Sequence, residues 1–272
     1  MSDAPASTEV AVSSGEADPL LARNGDGRLR CVLNRPYALN ALTPELLFAL
    51  AAAVTGASED PEIRAVVVEG AGDRAFSAGF DLKVLYALGA RAHEGQPLET
   101  AIEALTACTK PTVAMVRGHC VGAGFDLAMS CDFRIATAGS RFSVPAIRIG
   151  TVYRPQSIER IWRTLGPTVT KALFVVGHVF DSEDALRAGI VQQVVEPDAL
   201  EDAVLAWTDV PDQGAFASSA QKRIIAAFCT TSDRSPAFWA PLDQLRAESV
   251  ASRERRKAVA DFSNRSRRDT EQ

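Results

Sequence analysis

Short apolar runs alternate with longer stretches of helical periodicity over the first half of the chain. The runs at 65–69, 111–116 and 133–136 are rich in valine and other apolar residues, which is typical of strands buried on both faces. Between them, apolar residues recur every three or four positions and predict helices at 44–54, 81–88, 98–108 and 125–130. Strands and helices that alternate at this spacing indicate an α/β fold built from βαβ-type crossovers.

Turn and capping residues mark where two of these elements begin. The run Asn24-Gly25-Asp26-Gly27 divides the stretch 20–34, and its residue types tolerate a positive φ, so a β-hairpin is predicted there. Thr43, Pro44 and Glu45 place a capping hydroxyl, a first-turn proline and a carboxylate ahead of the first helix. Both signals agree with the apolar pattern that follows them.

The second half of the chain is mostly helical by the same criteria. Its predicted elements are helices at 156–165, 167–176 and 182–188, a strand at 191–195, and helices from 199 onward. The charged segment 246–268 has only scattered apolar positions. We interpret it as a solvated or subunit-packing helix rather than an arm that binds nucleic acid.

These patterns divide the chain into three parts. We predict a flexible tail at 1–18, a core at 19–198 and a helical C-terminal region at 199–272. The tail is rich in alanine, serine and acidic residues, and it lacks the basic start and apolar stretch of a signal peptide or anchor. We therefore expect no targeting segment in it.

Charge and cysteine content narrow the classes of partner. The 272 residues include 29 Lys and Arg against 34 Asp and Glu, a net charge of −5, which argues against a general nucleic-acid surface. The five cysteines have no CxxC spacing, so we expect no disulfides and no metal site, and a reducing cytoplasm. No apolar run is long enough to span a bilayer, so the sequence predicts a soluble protein without a membrane partner.

Two glycine-containing loops carry the first sign of chemistry. The stretches 75–82 and 118–126 each follow a strand and lead into a helix, where backbone N–H groups lack intrahelical partners. Two such loops are able to direct two N–H groups at one oxygen, as an oxyanion hole requires. Each loop alone also agrees with an ordinary tight turn between a strand and a helix.

An ordered series of motifs closely resembles the enoyl-CoA hydratase/isomerase (crotonase) superfamily. It consists of Leu33-Asn34-Arg35-Pro36, Asn40-Ala41-Leu42, Ala75 to Lys83 and Gly118 to Asp132. The resemblance continues through 142–145, 150–151, 188–191 and 220–222, and covers roughly 20–265. It implies a spiral of ββα repeats with a C-terminal helical region used for trimerisation, assembled as a homotrimer or a dimer of trimers.

The resemblance also implies an acyl-CoA substrate and roles for matching residues. Phe80 and Ala123 would donate the two N–H groups that hold the thioester oxygen, and backbone donors tolerate alanine where glycine is commoner if its dihedral angles fit. No cofactor is expected, because coenzyme A is part of the substrate. Positions that match the coenzyme A path are Arg35, Ala41, Ala78, Asp81, Leu82 and Lys83. For Arg35 and Lys83, a plain surface role stays open.

Two departures from the family put hydration in doubt. Hydratases of the family use two glutamates that flank one water, and the matching positions here are Asp126 and Ala146. Aspartate keeps a carboxylate with a shorter reach, whereas alanine transfers no proton. A lone carboxylate suits proton transfer between carbons, as in double-bond isomerisation, better than addition of water. Asp126 also has a structural interpretation, as a buried and hydrogen-bonded carboxylate.

Tyr153 favours a second reaction. It follows Gly150, Thr151 and Val152 at the spacing of an active-site tyrosine in crotonase-fold decarboxylases of malonyl-type CoA esters. Those enzymes carry a polar ring at the position of Phe80, which weakens the match, and Arg148, Tyr153 and Arg154 also agree with a surface cluster. The alternatives to an isomerase or hydratase are therefore a decarboxylase and a non-catalytic acyl-CoA-binding protein.

Overall fold

The computed structural model describes residues 18, 20–88, 96–230, 235–253 and 255–257. The predicted tail at 1–18 lies outside the described residues except for Asp18. The charged segment 246–268 is described only at 246–253 and 255–257. The described residues form two compact units. The first contains the described residues of 1–108 and 112–208, and the second contains 109–111 and the described residues from 209 onward. The candidate site belongs to the first unit.

A six-stranded sheet forms the centre of the first unit. Its strands are, in their order across the sheet, β1 (Leu20–Gly25), β2 (Arg28–Leu33), β3 (Ala65–Gly70), β5 (Thr112–Val116), β7 (Phe133–Thr137) and β10 (Gln193–Val195). β1 and β2 form the predicted antiparallel hairpin, whose turn residues Asp26 and Gly27 have φ of 51° and 72°. Every other pair in this sheet is parallel.

Helices cover both faces of this sheet, which explains the continuous apolar runs. Val66 and Val68 of β3 belong to the larger core with the buried residues of α1 (Pro44–Glu59) and α3 (Pro97–Ala107). Val67 points to the opposite face, where it packs in a smaller core with Leu200 and Val204 of α7 (Leu200–Trp207). Successive side chains of a strand point to opposite faces, so a strand buried on both sides has no polar alternation.

The helices of the first unit follow the predicted positions closely. They are α1 (Pro44–Glu59), α2 (Leu82–Leu88), α3 (Pro97–Ala107), α4 (Ala123–Met129), α5 (Pro155–Phe174), α6 (Ser182–Arg187) and α7 (Leu200–Trp207). The Thr43 hydroxyl caps α1 by accepting the N–H of Leu46 at 3.3 Å. The two helices predicted around Gly166 form one element, interrupted where Gly166 has φ of 73° and ψ of 175°.

A second sheet of four short strands was not predicted from the apolar pattern. It contains β4 (Ala75–Ser77), β6 (His119–Val121), β8 (Arg141–Ser143) and β9 (Phe180–Asp181), in that order. β4, β6 and β8 each follow a strand of the large sheet after a short turn, so a strand–strand–helix unit recurs along the chain. The recurrence confirms the α/β fold and its ββα repeats.

The second unit is helical in its described part. It contains α8 (Ala215–Thr230) and α9 (Pro236–Ala251), whose Ser235 hydroxyl accepts the N–H of Phe238 at 3.3 Å. The Lys222 ammonium donates to the carbonyl of Lys110 at 2.8 Å, which ties the segment 109–111 to α8. Across the described residues, no helix combines the length and the apolar character needed to cross a membrane.

Candidate active site

The two glycine loops lie against each other. β4 and β6 are parallel neighbours, with Ala75 beside His119 and Ser77 beside Cys120, so the loops that follow them leave the sheet at the same edge. A Cβ atom placed on Gly79 would lie 2.9 Å from the carbonyl oxygen of Val121 and 3.2 Å from the nitrogen of Ala123. Gly79 also has a φ of 90°. Both the close approach and the left-handed backbone require glycine at this position.

Backbone hydrogen bonds on either side of Phe80 fix its orientation. The N–H of Leu42 donates to the carbonyl of Gly79 at 2.7 Å, and the carbonyl of Leu42 accepts the N–H of Asp81 at 2.9 Å. Phe80 and Leu42 therefore form a parallel β-bridge. In a parallel ladder, the flanking residues make these bonds, and the peptide N–H of the bridged residue itself points to the other side.

Ala123 presents its N–H from the first position of α4. The residue is 3% exposed and has a negative φ, so alanine adopts this conformation without strain. The N–H groups of the first helical turn have no acceptor within their own helix. The dihedral requirement for an alanine at this position is thus met.

Asp126 lies one turn into α4, and its side chain is 0% exposed. One carboxylate oxygen, Oδ1, accepts a hydrogen bond from the Arg160 guanidinium of α5 and forms an ion pair with it. The other oxygen, Oδ2, has no hydrogen-bond partner among the described residues, and neither has Nε of Arg160. The pairing offsets the high cost of burying a lone carboxylate. Arg160 was not singled out by the sequence.

Tyr153 completes this group of side chains. Its ring packs edge-on against Phe174, with centroids 5.2 Å apart, and a Cβ placed on Gly122 would lie 3.5 Å from its phenol oxygen. Burial, and secondly the negative charge of Asp126, raise the pKa of the Tyr153 phenol above its ordinary value. The phenol therefore stays protonated at neutral pH and remains a hydrogen-bond donor.

A cavity of about 660 Å³ opens where these segments meet. It brings together all four predicted catalytic positions, Phe80, Ala123, Asp126 and Tyr153. Ala146, predicted from the sequence to match the second glutamate of the hydratases, also lines it and is 7% exposed.

The predicted coenzyme A positions divide into two groups. Ala78 and Leu82 line the cavity, whereas Arg35, Ala41, Asp81 and Lys83 are not part of its wall. Arg35 donates to the carbonyl of Ala41 at 2.7 Å and to the Asp81 carboxylate at 2.9 Å, so its guanidinium joins two loops. Burial alone would raise the pKa of Asp81, but Arg35 and nearby backbone N–H groups lower it below its ordinary value. The role of all six positions in binding coenzyme A stays a prediction.

Three charged side chains of the cavity wall add a feature that the apolar pattern did not reveal. Glu99 of α3 pairs with Arg154 at 2.9 Å, and Arg154 also donates to the side chain of Gln96 at 3.1 Å. Arg148, from the 3-10 helix Pro145–Ile149, lines the same cavity. Arg148 and Arg154 were considered from the sequence only as neighbours of Tyr153, and nothing in the sequence marked Glu99.

Comparison with known proteins places the chain in a family. The sequence model described as enoyl-CoA hydratase/isomerase matches residues 27–269. The crotonyl-CoA hydratase of Syntrophomonas wolfei subsp. wolfei is 36% identical over 173 residues, which cover 62% of this chain. That match spans 65% of the hydratase, short of two-thirds of its length. The mitochondrial enoyl-CoA hydratase of Pongo abelii is 33% identical over 198 residues, covering 72% of this chain and 68% of the relative.

A solved structure agrees with this assignment. The enoyl-CoA hydratase/carnithine racemase from Magnetospirillum magneticum superposes with a TM-score of 0.84 and 28% identity, covering 92% of this chain and 94% of the other. The repeated ββα units, the matched sequence model and these relatives agree with one another. The chain therefore belongs to the enoyl-CoA hydratase/isomerase (crotonase) family of enzymes.

Proposed function

We propose that this protein binds an acyl-CoA thioester in the cavity and stabilises the enolate made from it. The peptide N–H groups of Phe80 and Ala123 hold the thioester oxygen. The observation that carries this proposal is the contact between Gly79 and Ala123, because it brings the two glycine loops together at one cavity.

Enolate formation moves negative charge onto the thioester oxygen. Two donors fixed in the fold stabilise that charge without having to reorient during the reaction, and removal of one such donor typically slows an enzyme by about a hundredfold or more. Phe80 is fixed by the flanking bonds to Leu42, and Ala123 by its place at the start of α4. Both donors belong to backbone whose position is set by neighbouring hydrogen bonds.

Asp126 is the proposed proton carrier. Its Oδ2 atom makes no hydrogen bond with the described residues, while Arg160 holds Oδ1. In an isomerisation, the carboxylate removes a proton from one carbon of the acyl chain, becomes a carboxylic acid, and returns the proton to another carbon. The electron pair of the broken C–H bond passes into the enolate and returns when the new C–H bond forms.

Hydration is the less favoured reaction. Addition of water needs a second group that orients the water and exchanges its proton, and Ala146 provides neither. We therefore place double-bond migration and related α-proton transfer before hydration, although relatives are named as hydratases.

Tyr153 supports decarboxylation as a second candidate. Its protonated phenol lies beside Gly122, where it is able to donate a hydrogen bond to a substrate carboxylate. When carbon dioxide leaves a malonyl-type thioester, the electrons of the broken C–C bond enter the same enolate, and a proton from water then completes the product. This reaction needs the two N–H donors but no strong base.

Family membership also supports proposals about assembly and location. We propose a homotrimer or a dimer of trimers in the cytoplasm, with no cofactor beyond the coenzyme A of the substrate. Light scattering after size exclusion measures the assembly directly, and a monomer at micromolar concentration would contradict it.

Mass spectrometry in heavy water tests the reaction. The wild-type protein is incubated with enoyl-, acyl- and malonyl-type CoA thioesters, and each product is weighed. Deuterium uptake, a shifted double bond, or both support the main proposal, and loss of carbon dioxide supports the second candidate. Gain of water would show that Ala146 does not prevent hydration. Binding without any change in mass or in double-bond position would contradict catalysis and favour a non-catalytic acyl-CoA-binding protein.

Two variants assign the proton transfer. Asp126→Asn removes the base but keeps the shape of the side chain, and it should abolish deuterium uptake while acyl-CoA still binds. Glu196→Gln removes an exposed carboxylate that is not part of the cavity wall, and it should leave uptake unchanged. Equal uptake by Asp126→Asn and wild type would remove Asp126 from the mechanism.

A further inference from the structure

One part of the cavity wall is charged. Glu99, Arg148 and Arg154 line the same cavity as the proposed catalytic residues, but they come from the first turn of α3 and from the segment that leads into α5. The Glu99–Arg154 pair joins these two segments at 2.9 Å. An acyl group in the cavity therefore meets charged side chains as well as apolar ones such as Leu82 and Leu98.

One cationic side chain of the wall has no charged partner among the described residues. Among the described residues that line the cavity, the two carboxylates each have a partner: Asp126 pairs with Arg160, and Glu99 pairs with Arg154. Arg148 makes no ion pair and no side-chain hydrogen bond with any described residue, although it lines the cavity. The four charged lining residues therefore sum to zero, but Arg148 has no ion-pair partner within the described parts of the chain.

Arg154 adds donors to the same region. Its Nε atom faces Glu99 and its Nη1 atom donates to Gln96, whereas its Nη2 atom has no hydrogen-bond partner within the described parts of the chain. A guanidinium presents its N–H groups in a planar fork that matches the two oxygens of a carboxylate.

A plain hydrocarbon chain makes no polar interaction with this part of the wall. Arg148 is exposed to solvent as well as to the cavity, so beside such a chain its guanidinium keeps only its hydrogen bonds to water. A carboxylate on the acyl group replaces the water with charge-assisted hydrogen bonds.

We propose that the cavity selects acyl-CoA substrates whose acyl group carries its own carboxylate, with Arg148 as the residue that recognises it. The substrate class is the CoA monothioester of a dicarboxylic acid. This inference rests on the proposed function, because it assumes that the acyl group occupies the cavity. Arg148 is a specificity-determining residue here, separate from the N–H donors and from the Asp126 carboxylate that moves the proton.

The phosphates of coenzyme A are a second source of negative charge for Arg148. The two sources differ in a measurable way, because every acyl-CoA carries the phosphates and only some carry an acyl carboxylate. Glutaryl-CoA and pentanoyl-CoA have acyl chains of equal length and the same coenzyme A, and they differ in the terminal carboxylate alone.

Isothermal titration calorimetry with these two thioesters tests the proposal. The wild-type protein should bind glutaryl-CoA more tightly than pentanoyl-CoA. Arg148→Gln should weaken glutaryl-CoA about tenfold and leave pentanoyl-CoA unchanged, as expected for one hydrogen-bonded charge. Arg148→Glu should weaken glutaryl-CoA further. Arg141→Gln, which removes an exposed arginine of β8 outside the cavity wall, should change neither affinity.

Three results would overturn the proposal. The first is a wild-type protein that shows no preference for glutaryl-CoA. The second is an Arg148→Gln variant whose affinity falls equally for both thioesters, which would assign Arg148 to the phosphates. The third is an Arg148→Gln variant whose affinity for both thioesters is unchanged. The test is independent of catalysis, because Asp126→Asn should keep the glutaryl-CoA preference. A protein that prefers glutaryl-CoA, but neither exchanges deuterium nor shifts a double bond in any thioester, would refute the proposed chemistry and leave the specificity standing.

Discussion

Arg160 of α5 holds one oxygen of the Asp126 carboxylate, and the other oxygen is buried without a hydrogen-bond partner among the described residues. The pair has two consequences. It keeps the carboxylate charge compensated inside the protein, and it leaves Oδ2 of Asp126 without a hydrogen bond at the cavity wall. In the proposed reaction, Arg160 would act by positioning Asp126.

Removal of Arg160 should destabilise the protein. In Arg160→Gln, the Asp126 carboxylate stays buried without its partner, and the expected loss in free energy of unfolding is about 3 kcal/mol. Urea denaturation measures this loss. Arg163→Gln breaks an exposed pair with Glu159 on the same helix and should cost at most about 0.5 kcal/mol.

The pair itself is isolated by a double variant. Asp126→Asn combined with Arg160→Gln should cost less than the sum of the single losses, because neither charge is then stranded. Arg160→Lys should recover part of the stability. Equal losses for Arg160→Gln and Arg163→Gln would show that the buried pair has no special weight.

Gly79→Ala should separate the catalytic role of the glycine loops from ordinary backbone strain. The new Cβ would press on the carbonyl of Val121 and on the nitrogen of Ala123, and so displace one proposed donor. Gly139→Ala is the matched control, since Gly139 has a φ of 82° and nothing within 4 Å of an added Cβ.

Both glycine variants should lose about 1 kcal/mol or more of stability from the positive φ alone. Deuterium uptake should fall by about a hundredfold in Gly79→Ala and stay near the wild-type rate in Gly139→Ala. Matching rates for the two variants would argue against two N–H donors at this junction.

The structural features that the sequence predicted correctly are those specified by neighbouring residues. The hairpin, the Thr43 cap and the two glycine loops are specified by adjacent residues, and all of them appear in the structure. β4, β6 and β8 are three residues long, too short for a periodic pattern, and they are stabilised by pairing with distant strands. The apolar pattern alone therefore missed the second sheet.

The candidate site shows the same division. The positions next to the glycine motifs, Phe80, Ala123 and Asp126, were predicted from contiguous motifs, and all three line one cavity. Arg160 meets Asp126 across 34 residues, and an arginine in an amphipathic helix usually indicates a solvated face. The sequence likewise gives Glu99 of α3 the character of a charged residue on a solvated helix face. Only the packing of α3 and α5 around the cavity distinguishes these residues from surface charges.

The raised pKa of Tyr153 predicts a specific response to alkaline pH. The folded protein keeps the phenol protonated above the pKa of about 10 that tyrosine has in an unfolded chain. The stability from this difference is fully present below pH 10 and is lost as the pH rises through the folded-state value, because the unfolded chain releases its proton first.

Absorbance at 295 nm, which reports tyrosinate, checks this prediction. Native wild type and Tyr153→Phe should give equal increases as the pH rises to about 11, because Tyr153 contributes nothing in that range. After unfolding, the wild type should show the larger increase. A native wild type that already exceeds Tyr153→Phe at pH 10 would contradict the raised pKa of the Tyr153 phenol.

Restoring the two family glutamates should shift the reaction toward hydration. Ala146 lines the cavity with 7% exposure, so Ala146→Glu places a carboxylate on the wall that lacks one, and Asp126→Glu restores the longer reach of the first. A properly placed acid or base typically contributes at least about a hundredfold to such a step. The double variant should therefore hydrate crotonyl-CoA about a hundredfold faster than wild type, measured as product heavier by one water.

The control variant Ala146→Gln with Asp126→Glu has nearly the same volume without the second carboxylate, and its hydration rate should stay at that of the wild type. If both double variants hydrate equally, or neither does, then the missing glutamate is not what limits hydration in this cavity.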